Sequence, residues 1–300
     1  MKHFIDVDQL SLQDIVKIFS KAEEYIKNPY SNCLKNKKLI NLFFENSTRT
    51  RSSFEIAALN LGADVINIDV STSSLQKGES DQDTVLTLNA MLANFITIRH
   101  SDSGMVEKLS QYSNATIINS GDGSHAHPTQ ALLDAFTIYK EKGFRDIQQF
   151  KNLTIVICGD IINSRVARSN IKLLTQLGSN IRLVGPNTLL PKFMLQNNMK
   201  IFVDLSKAIN QADVVYSLRI QKERMRNSSV PSSKEYYDLY GINHKILKKA
   251  SPNCIVLHPG PMNRDIEIST DLADDMNICM VLKQVRNGVA IRQAVLEFMN

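Results

Sequence analysis

The sequence predicts an α/β protein: two doubly wound parallel-sheet domains linked by helices, with an active-site cleft between them. Short apolar runs that suit buried strands alternate with segments of helical periodicity almost throughout. A second series of strands opens at Leu153-Thr154-Ile155-Val156-Ile157-Cys158, midway along the chain. The polar stretches that could carry chemistry fall after strands, and parallel sheets bind ligands at the carboxyl ends of their strands. With 300 residues, 43% of them apolar, the chain is large enough for two cores.

Taken in order, Ser11 with Asp14 opens an amphipathic helix bearing Ile15, Ile18, Phe19, Ala22 and Ile26, and Asn28-Pro29 stops it. Strands are expected near 38–44, 64–69, 95–99 and 115–119, separated by helices near 50–61, 81–92 and 104–112. Gly62 stands where the helix near 50–61 must be capped. Pro128 suits the first turn of a linking helix. Further strands follow near 153–158, 180–184, 200–203, 212–217 and 254–257, and a helix with Leu282, Val285, Val289, Leu296 and Met299 closes the chain. The expected domains are therefore 1–128 with the terminal helix 282–300, and 129–281.

Composition narrows the function. The net charge is +5, but the lysines are dispersed and no basic tract occurs, so anionic small molecules explain the charge better than nucleic acid does. No apolar run approaches the roughly 18 residues of a membrane span, and Met1 to Asp8 carries no hydrophobic signal region. A cytoplasmic protein without a membrane partner is expected. Cys33, Cys158, Cys254 and Cys279 form no C-x-x-C pair and read as small buried residues in a reducing compartment.

The chemistry centres on Ser47-Thr48-Arg49-Thr50-Arg51, between the strand Lys38–Phe44 and a helix bearing Phe54, Ala57, Ala58 and Leu61. Free backbone N–H groups at that helix start attract anions, and three hydroxyls and two guanidinium groups add to them. An ordinary Ser/Thr cap would not explain two arginines in a first turn, where they oppose the helix dipole. The stretch reads as a phosphate site.

The other loops are anion-directed too. Ser71 to Ser80 is polar, and its Lys77 beside Gly78 is placed to reach an anion. Arg99 ends an apolar strand. His125 and His127 lack a third ligand of suitable spacing, so no metal is expected. His127 precedes a helix N-terminus, where the dipole favours a neutral imidazole able to donate to a carbonyl oxygen, with Gln130 a turn further on. Arg165 lies in the second domain's first loop, Gly159 to Arg165, which lacks the G-x-G-x-x-G of a dinucleotide site; no cofactor is expected. Arg219 and Gln221 stand two apart in an extended segment and so project to one side. His258-Pro259-Gly260-Pro261 is a loop stiffened by two prolines.

These motifs, in this order, resemble the aspartate/ornithine carbamoyltransferase family. Phe44 to Glu55 resembles its carbamoyl-phosphate motif, and His127-Pro128-Thr129-Gln130 its second motif. Arg219-Ile220-Gln221-Lys222-Glu223-Arg224 and His258-Pro259-Gly260-Pro261 resemble the aspartate branch. The loop from Ser74 to Gly78 varies in length across the family.

The resemblance implies that carbamoyl phosphate and L-aspartate give N-carbamoyl-L-aspartate and phosphate, a step of pyrimidine synthesis. It implies that Ser47, Thr48, Arg49, Thr50 and Arg99 hold the phosphate, and that Thr50, Arg99 and His127 polarise the carbamoyl oxygen. Arg165, Arg219 and Gln221 would grip the two carboxylates of aspartate, and Pro259 and Gly260 would offer backbone acceptors, with a cis bond between Gly260 and Pro261. Ser74 and Lys77 would reach a neighbouring subunit's site, so a homotrimer with shared active sites is implied, with room for a separate regulatory chain. An ornithine-specific enzyme would place its substrate's cation against an arginine-rich loop. A catalytically idle phosphate-binding subunit would show eroded motifs, and every position here is filled.

Overall fold

The computed structural model describes residues 2–69, 78–191, 198–220 and 232–300. Ser74, Lys77 and Gln221 lie outside these residues. Helix α1 (Leu12–Lys27) has the capping box read from the sequence, with Ser11 and Asp14 satisfying each other's backbone N–H groups. It buries Ile15, Ile18, Phe19, Ala22 and Tyr25.

There follow β1 (Lys38–Phe43), α2 (Thr48–Asn60), β2 (Asp64–Asp69), α3 (Asp81–Ala90), β3 (Phe95–His100), α4 (Met105–Ser110), β4 (Thr116–Asp122) and α5 (Pro128–Glu141). Gly62, just beyond α2, has a φ of +82°, the left-handed conformation that ends a helix cheaply only at glycine. The strands form a parallel sheet in the order β2-β1-β3-β4. From β1 the chain goes outward to β2, then returns with β3 to the opposite side of β1, so the strand order reverses between β1 and β3.

The second series is β5 (Thr154–Cys158), α6 (Arg165–Gln176), β6 (Asn180–Val184), β7 (Met199–Phe202), α7 (Leu205–Ala208), β8 (Val214–Ser217), α8 (Ser233–Tyr240), α9 (His244–Leu247), β9 (Ile255–Leu257) and α10 (Thr270–Ala273). Its parallel sheet runs β7-β6-β5-β8-β9. Here the order reverses between β5 and β8. Helix α11 (Val281–Phe298) is the last element. Strands β1, β5 and β8 are buried almost end to end, which is why each reads as a mostly apolar run; the exception inside β1 is Asn41, which donates to Asn67 Oδ1 at 2.8 Å and accepts from Thr97 Oγ1 at 2.6 Å.

The chain separates into two units, Met1–Phe136 with Val285–Asn300, and Thr137–Gln284. The divisions fall inside α5 and α11. Each unit has its own sheet and core: Ile40, Leu42, Ile96, Ile98, Val106 and Ile117 centre one cluster in the first, and Val156, Val184, Val215, Tyr236, Val256 and Ile268 one in the second. No helix among the described residues is long and apolar enough to cross a membrane. All four cysteines are free thiols. Burial pushes those of Cys158 and Cys254 up to about 12, so both are protonated at neutral pH.

Candidate active site

Ligands of doubly wound sheets bind where the strand order reverses, outside the carboxyl ends of the strands. In the first unit that place is bounded by the loop after β1 and the end of β3. Ser47 is the N-cap of α2 in an extended conformation, and its side chain makes no capping hydrogen bond. Thr48 and Arg49 are exposed in the first turn, and Thr50 is buried, its carbonyl accepting from Ser53 Oγ at 2.9 Å. The hydroxyls and N–H groups expected at this helix start are thus on one turn.

Arg99 stands opposite Phe43 in the β1–β3 register, beside that turn. The β3–β4 pairing slips between Ile98 and His100, where β4 advances from Asn119 to Asp122 while β3 advances two residues. A bulge of this kind re-aims the side chain next to it. Arg99 Nε donates to Glu45 Oε2 at 3.1 Å, and Nη1 to the Ser120 carbonyl at 3.3 Å. Its guanidinium is therefore oriented from two sides, one of them the bulged strand.

His127 is buried and immediately precedes α5, its carbonyl accepting from Gln130 N and Ala131 N at 3.1 and 3.2 Å. The loop that delivers it is built on Asp122. That carboxylate accepts from Asn119 Nδ2, Gly104 N, His125 Nδ1 and Ala126 N at 2.7–3.1 Å. Burial would raise its pKa, but the bonds from His125, Asn119 and Gly104 outweigh it and hold the carboxyl below the ordinary carboxylate value. His125 therefore serves the loop through Asp122. Gln130 Nε2 donates to Asp134 Oδ1 at 2.9 Å.

In the second unit the reversal lies between β5 and β8, and both arginines named from the sequence flank it. Arg165 is buried at the first position of α6, behind Ser164, whose side chain caps the helix at Ala167 N. Arg219 follows β8 by two residues and is half-buried. The two loops are tied together: Leu218 N donates to the Cys158 carbonyl at 2.8 Å, extending the register in which Cys158 faces Ser217. Gly159 permits this approach. It adopts a φ of +127°, and a Cβ there would stand 2.9 Å from the Leu218 carbonyl oxygen.

Strand β9 neighbours β8, with Leu257 opposite Tyr216, so the loop of Pro259 and Gly260 leaves the same sheet edge. The Gly260–Pro261 bond is cis, as the resemblance implies. His258 Nδ1 accepts from Gly260 N at 2.8 Å, which leaves Nε2 to donate to the buried Glu267 at 3.2 Å. Glu267 Oε1 also accepts from Asn263 N at 2.5 Å. One carboxylate therefore braces both ends of this loop.

Each unit thus gathers its own residues: Ser47 to Thr50, Arg99, His127 and Gln130 in the first, Arg165, Arg219, Pro259 and Gly260 in the second. Glu45, Asp134 and Glu267, which hold these groups, went unassigned in the sequence. Glu45 was within the quoted motif, and a carboxylate amid hydroxyls and arginines was its one local signal.

Family comparison agrees with this layout. Residues 2–140 match the model described as aspartate/ornithine carbamoyltransferase, carbamoyl-P binding domain, and residues 151–299 match the Asp/Orn binding domain of the same family. The aspartate carbamoyltransferase catalytic subunit of Granulibacter bethesdensis is 48% identical over 300 residues, covering 98% of this chain and 93% of its own length. That of Rhodospirillum rubrum is 45% identical, with 100% and 94% covered. Among solved structures, aspartate transcarbamoylase from Trypanosoma cruzi in complex with carbamoyl aspartate and phosphate superposes with a TM-score of 0.87 at 30% identity, covering 99% of this chain and 95% of that one. Ornithine carbamoyltransferase from Pyrococcus furiosus superposes with a TM-score of 0.85 at 26% identity, with 98% and 96% covered. With both of its units matched by the family's two domain models, the chain belongs to the aspartate/ornithine carbamoyltransferase family.

Proposed function

We propose that this chain transfers the carbamoyl group of carbamoyl phosphate to the amine of L-aspartate, giving N-carbamoyl-L-aspartate and phosphate. The observation that carries this reading is the placement of arginines at the strand-order reversal of each sheet, Arg49 and Arg99 beside β1 and β3, Arg165 and Arg219 beside β5 and β8. Two anionic substrates need two such places. Relatives named aspartate carbamoyltransferase, 45–48% identical over nearly the whole chain, support the aspartate branch over the ornithine branch.

In this reading the first unit is the carbamoyl-phosphate domain. The α2 N-terminus, with Ser47, Thr48, Arg49 and Thr50, takes the phosphate, and Arg99 adds a fixed guanidinium. Thr50, Arg99 and His127 donate to the carbamoyl oxygen. The second unit takes aspartate, with Arg165, Arg219 and Gln221 pairing its carboxylates. The amine lone pair attacks the carbamoyl carbon, a C–N bond forms, and negative charge gathers on the carbonyl oxygen. The C–O bond to phosphate then breaks, phosphate takes the electron pair, and the amine's extra proton is lost. Donors fixed before the reaction stabilise that oxyanion, and one of them is typically worth about 10²–10³ in rate. Holding both substrates in register contributes the remainder without a covalent intermediate.

We assign the working assembly as a homotrimer in which Ser74 and Lys77 complete a neighbour's site, acting in cytoplasmic pyrimidine synthesis. Exposed Ile56 and Leu59 on α2, Ile66 on the edge strand β2, and Met91 and Leu92 after α3 support self-association of the first unit. The test of function is direct. Purified protein with carbamoyl phosphate should form ureido product with L-aspartate and little with L-ornithine. Equal or greater turnover with ornithine overturns the reading.

A further inference from the structure

His100 ends β3 beside Arg99, and its buried ring is bonded at both nitrogens. Nδ1 accepts from Asp102 N at 2.9 Å, and because a backbone amide can only donate, Nδ1 carries no proton. The ring proton is therefore on Nε2, which donates to Asp81 Oδ2 at 3.2 Å. Asp81 is the first residue of α3 and is half-buried. The ring also packs against Phe44, with centres 4.8 Å apart and planes inclined at 52°. Phe44 opens the loop that leads to the Ser47 turn, and its N–H donates to the Arg99 carbonyl at 2.9 Å. Three segments thus meet on one imidazole: the loop after β1, the start of α3 and the loop after β3.

Successive residues of a strand project to opposite faces. His100 falls on the face of Ile96 and Ile98, which share a core cluster with Val85 and Leu88 of α3 and Val106 and Leu109 of α4. Arg99 projects from the other face. Where β4 bulges, the register passes from Ile98–Asn119 to His100–Asp122, so the ladder on that side steps over Arg99. That ladder therefore does not fix the rotation of β3 at Arg99. The ring of His100 does. Held at both nitrogens and against Phe44, it cannot turn about the strand axis, and neither can the residue before it. With both nitrogens so engaged, the imidazole is built to hold position and not to exchange protons with a substrate.

We infer that His100, anchored by Asp81, is a positioning residue that sets the direction from which Arg99 meets carbamoyl phosphate, an inference that rests on the place given to Arg99 in the site proposed above. Glu45 and the Ser120 carbonyl orient the guanidinium at its far end, and His100 orients the backbone from which it springs. Asp81 acts only through the ring.

Inorganic phosphate is the probe. Its binding is measured calorimetrically on the full chain in its native assembly, with the KM for each substrate and the melting temperature recorded in parallel. Asp81→Ala removes the acceptor at Nε2. His100→Asn keeps an acceptor near Nδ1 for Asp102 N and gives up the bond to Asp81. Asp83→Asn, which lowers the charge of the first turn of α3 away from the ring, is the control for helix stability. Misaiming Arg99 forfeits most of one charge-assisted hydrogen bond, so both single variants should bind inorganic phosphate about tenfold more weakly. The KM for carbamoyl phosphate should rise by a similar factor and that for aspartate by less than about twofold. The double variant should be no weaker than the weaker single one, because the two residues act as a unit. Asp83→Asn should bind phosphate like the wild type even if it melts as early as Asp81→Ala. Losses that add in the double variant, equal rises in both KM values, a loss in Asp83→Asn matching that in Asp81→Ala, or wild-type phosphate binding in folded Asp81→Ala overturns the inference. Should His100→Asn fail to fold, Asp81→Ala against Asp83→Asn decides the same question. Arg99→Ala is the reference. If it binds phosphate like the wild type, Arg99 is not in the site, and the proposed site falls together with the positioning role. If it loses phosphate while Asp81→Ala and His100→Asn do not, only the positioning role falls.

Discussion

Adding one methyl group at Gly159 should injure aspartate use far more than carbamoyl-phosphate use. Gly159 combines a φ of +127° with a Cβ position 2.9 Å from Leu218 O, 3.1 Å from Leu218 Cβ and 3.2 Å from Tyr236 Oη. Contacts that short require backbone to move, because the nearest atom is a carbonyl oxygen whose own residue is anchored to Cys158 O at 2.8 Å. Backbone strain of this kind costs about 1–3 kcal/mol and overpacking about as much again. A fall of roughly 2–6 kcal/mol corresponds to about 4–24 °C in the melting of a unit this size. Relief comes by pushing Leu218 outward, which carries Arg219 with it. A 1 Å misplacement of a substrate-positioning group is worth up to about 10²-fold. Half that displacement makes a loss of about 10-fold a reasonable centre for kcat/KM with aspartate. The side chains assigned to the phosphate, Ser47 to Thr50 and Arg99, belong to the other unit, so the KM for carbamoyl phosphate should stay within about twofold. Steady-state kinetics of Gly159→Ala, each substrate varied at saturation of the other, decides the matter below the shifted melting point. Equal losses for both substrates, or wild-type kinetics in a folded variant, would refute the link from Gly159 through Leu218 to Arg219.

Glu45→Gln removes the charged partner of Arg99 Nε, so the KM for carbamoyl phosphate should rise about 5- to 30-fold, as expected for one charge-assisted bond; an unchanged or lower KM shows that Glu45 does not orient Arg99. Asp122 has a folded pKa held below its unfolded value, so its contribution to stability is present above the unfolded value and is lost as pH falls through the folded one. Asp122→Asn should therefore be less stable than the wild type at pH 7, by urea unfolding, with the gap narrowing below about pH 4; a gap that is constant with pH assigns the deficit to something other than charge. For shared sites, Lys77→Ala and His127→Ala should each be nearly inactive, and dissociating and reassembling a mixture should restore part of the activity. Verified mixed trimers as inactive as either parent would contradict the trimer assignment.

How much of this was legible in the sequence depends on how local the determinant is. β1 and β5 are buried almost throughout, so each leaves a short, mostly apolar run that can be read in the sequence, interrupted in β1 only by Asn41. The phosphate turn was legible because Arg49 and Arg51 in a first turn contradict the helix dipole. Arg165 and Arg219 were legible by their place in the loops after β5 and β8. The short helices α7, α9 and α10 have four residues each, too few for a periodicity. The pairs Arg99–Glu45, Gln130–Asp134 and His258–Glu267 were invisible for another reason. A carboxylate that braces a neighbour looks, in sequence, like any solvated acid, and only the fold brings Glu45 to Arg99 across 54 positions.

The discontinuity of the first unit bears on how the chain is made. Residues 285–300 belong with residues 1–136, so the second unit is an insertion within the first. A ribosome delivers Thr137–Gln284 whole before α11 exists, and the second unit can fold while the first still lacks its last helix. Phe136 emerges about 150 residues before Val285, an interval of about 7–30 s at ordinary elongation rates. Throughout that interval, the first core lacks the helix that places Arg292 over the Phe54 ring of α2. Instead of the usual amino-terminal-first sequence, the order of birth favours the later unit maturing first. The arrival of α11, bringing Arg292 over Phe54, is then the step that completes the earlier unit.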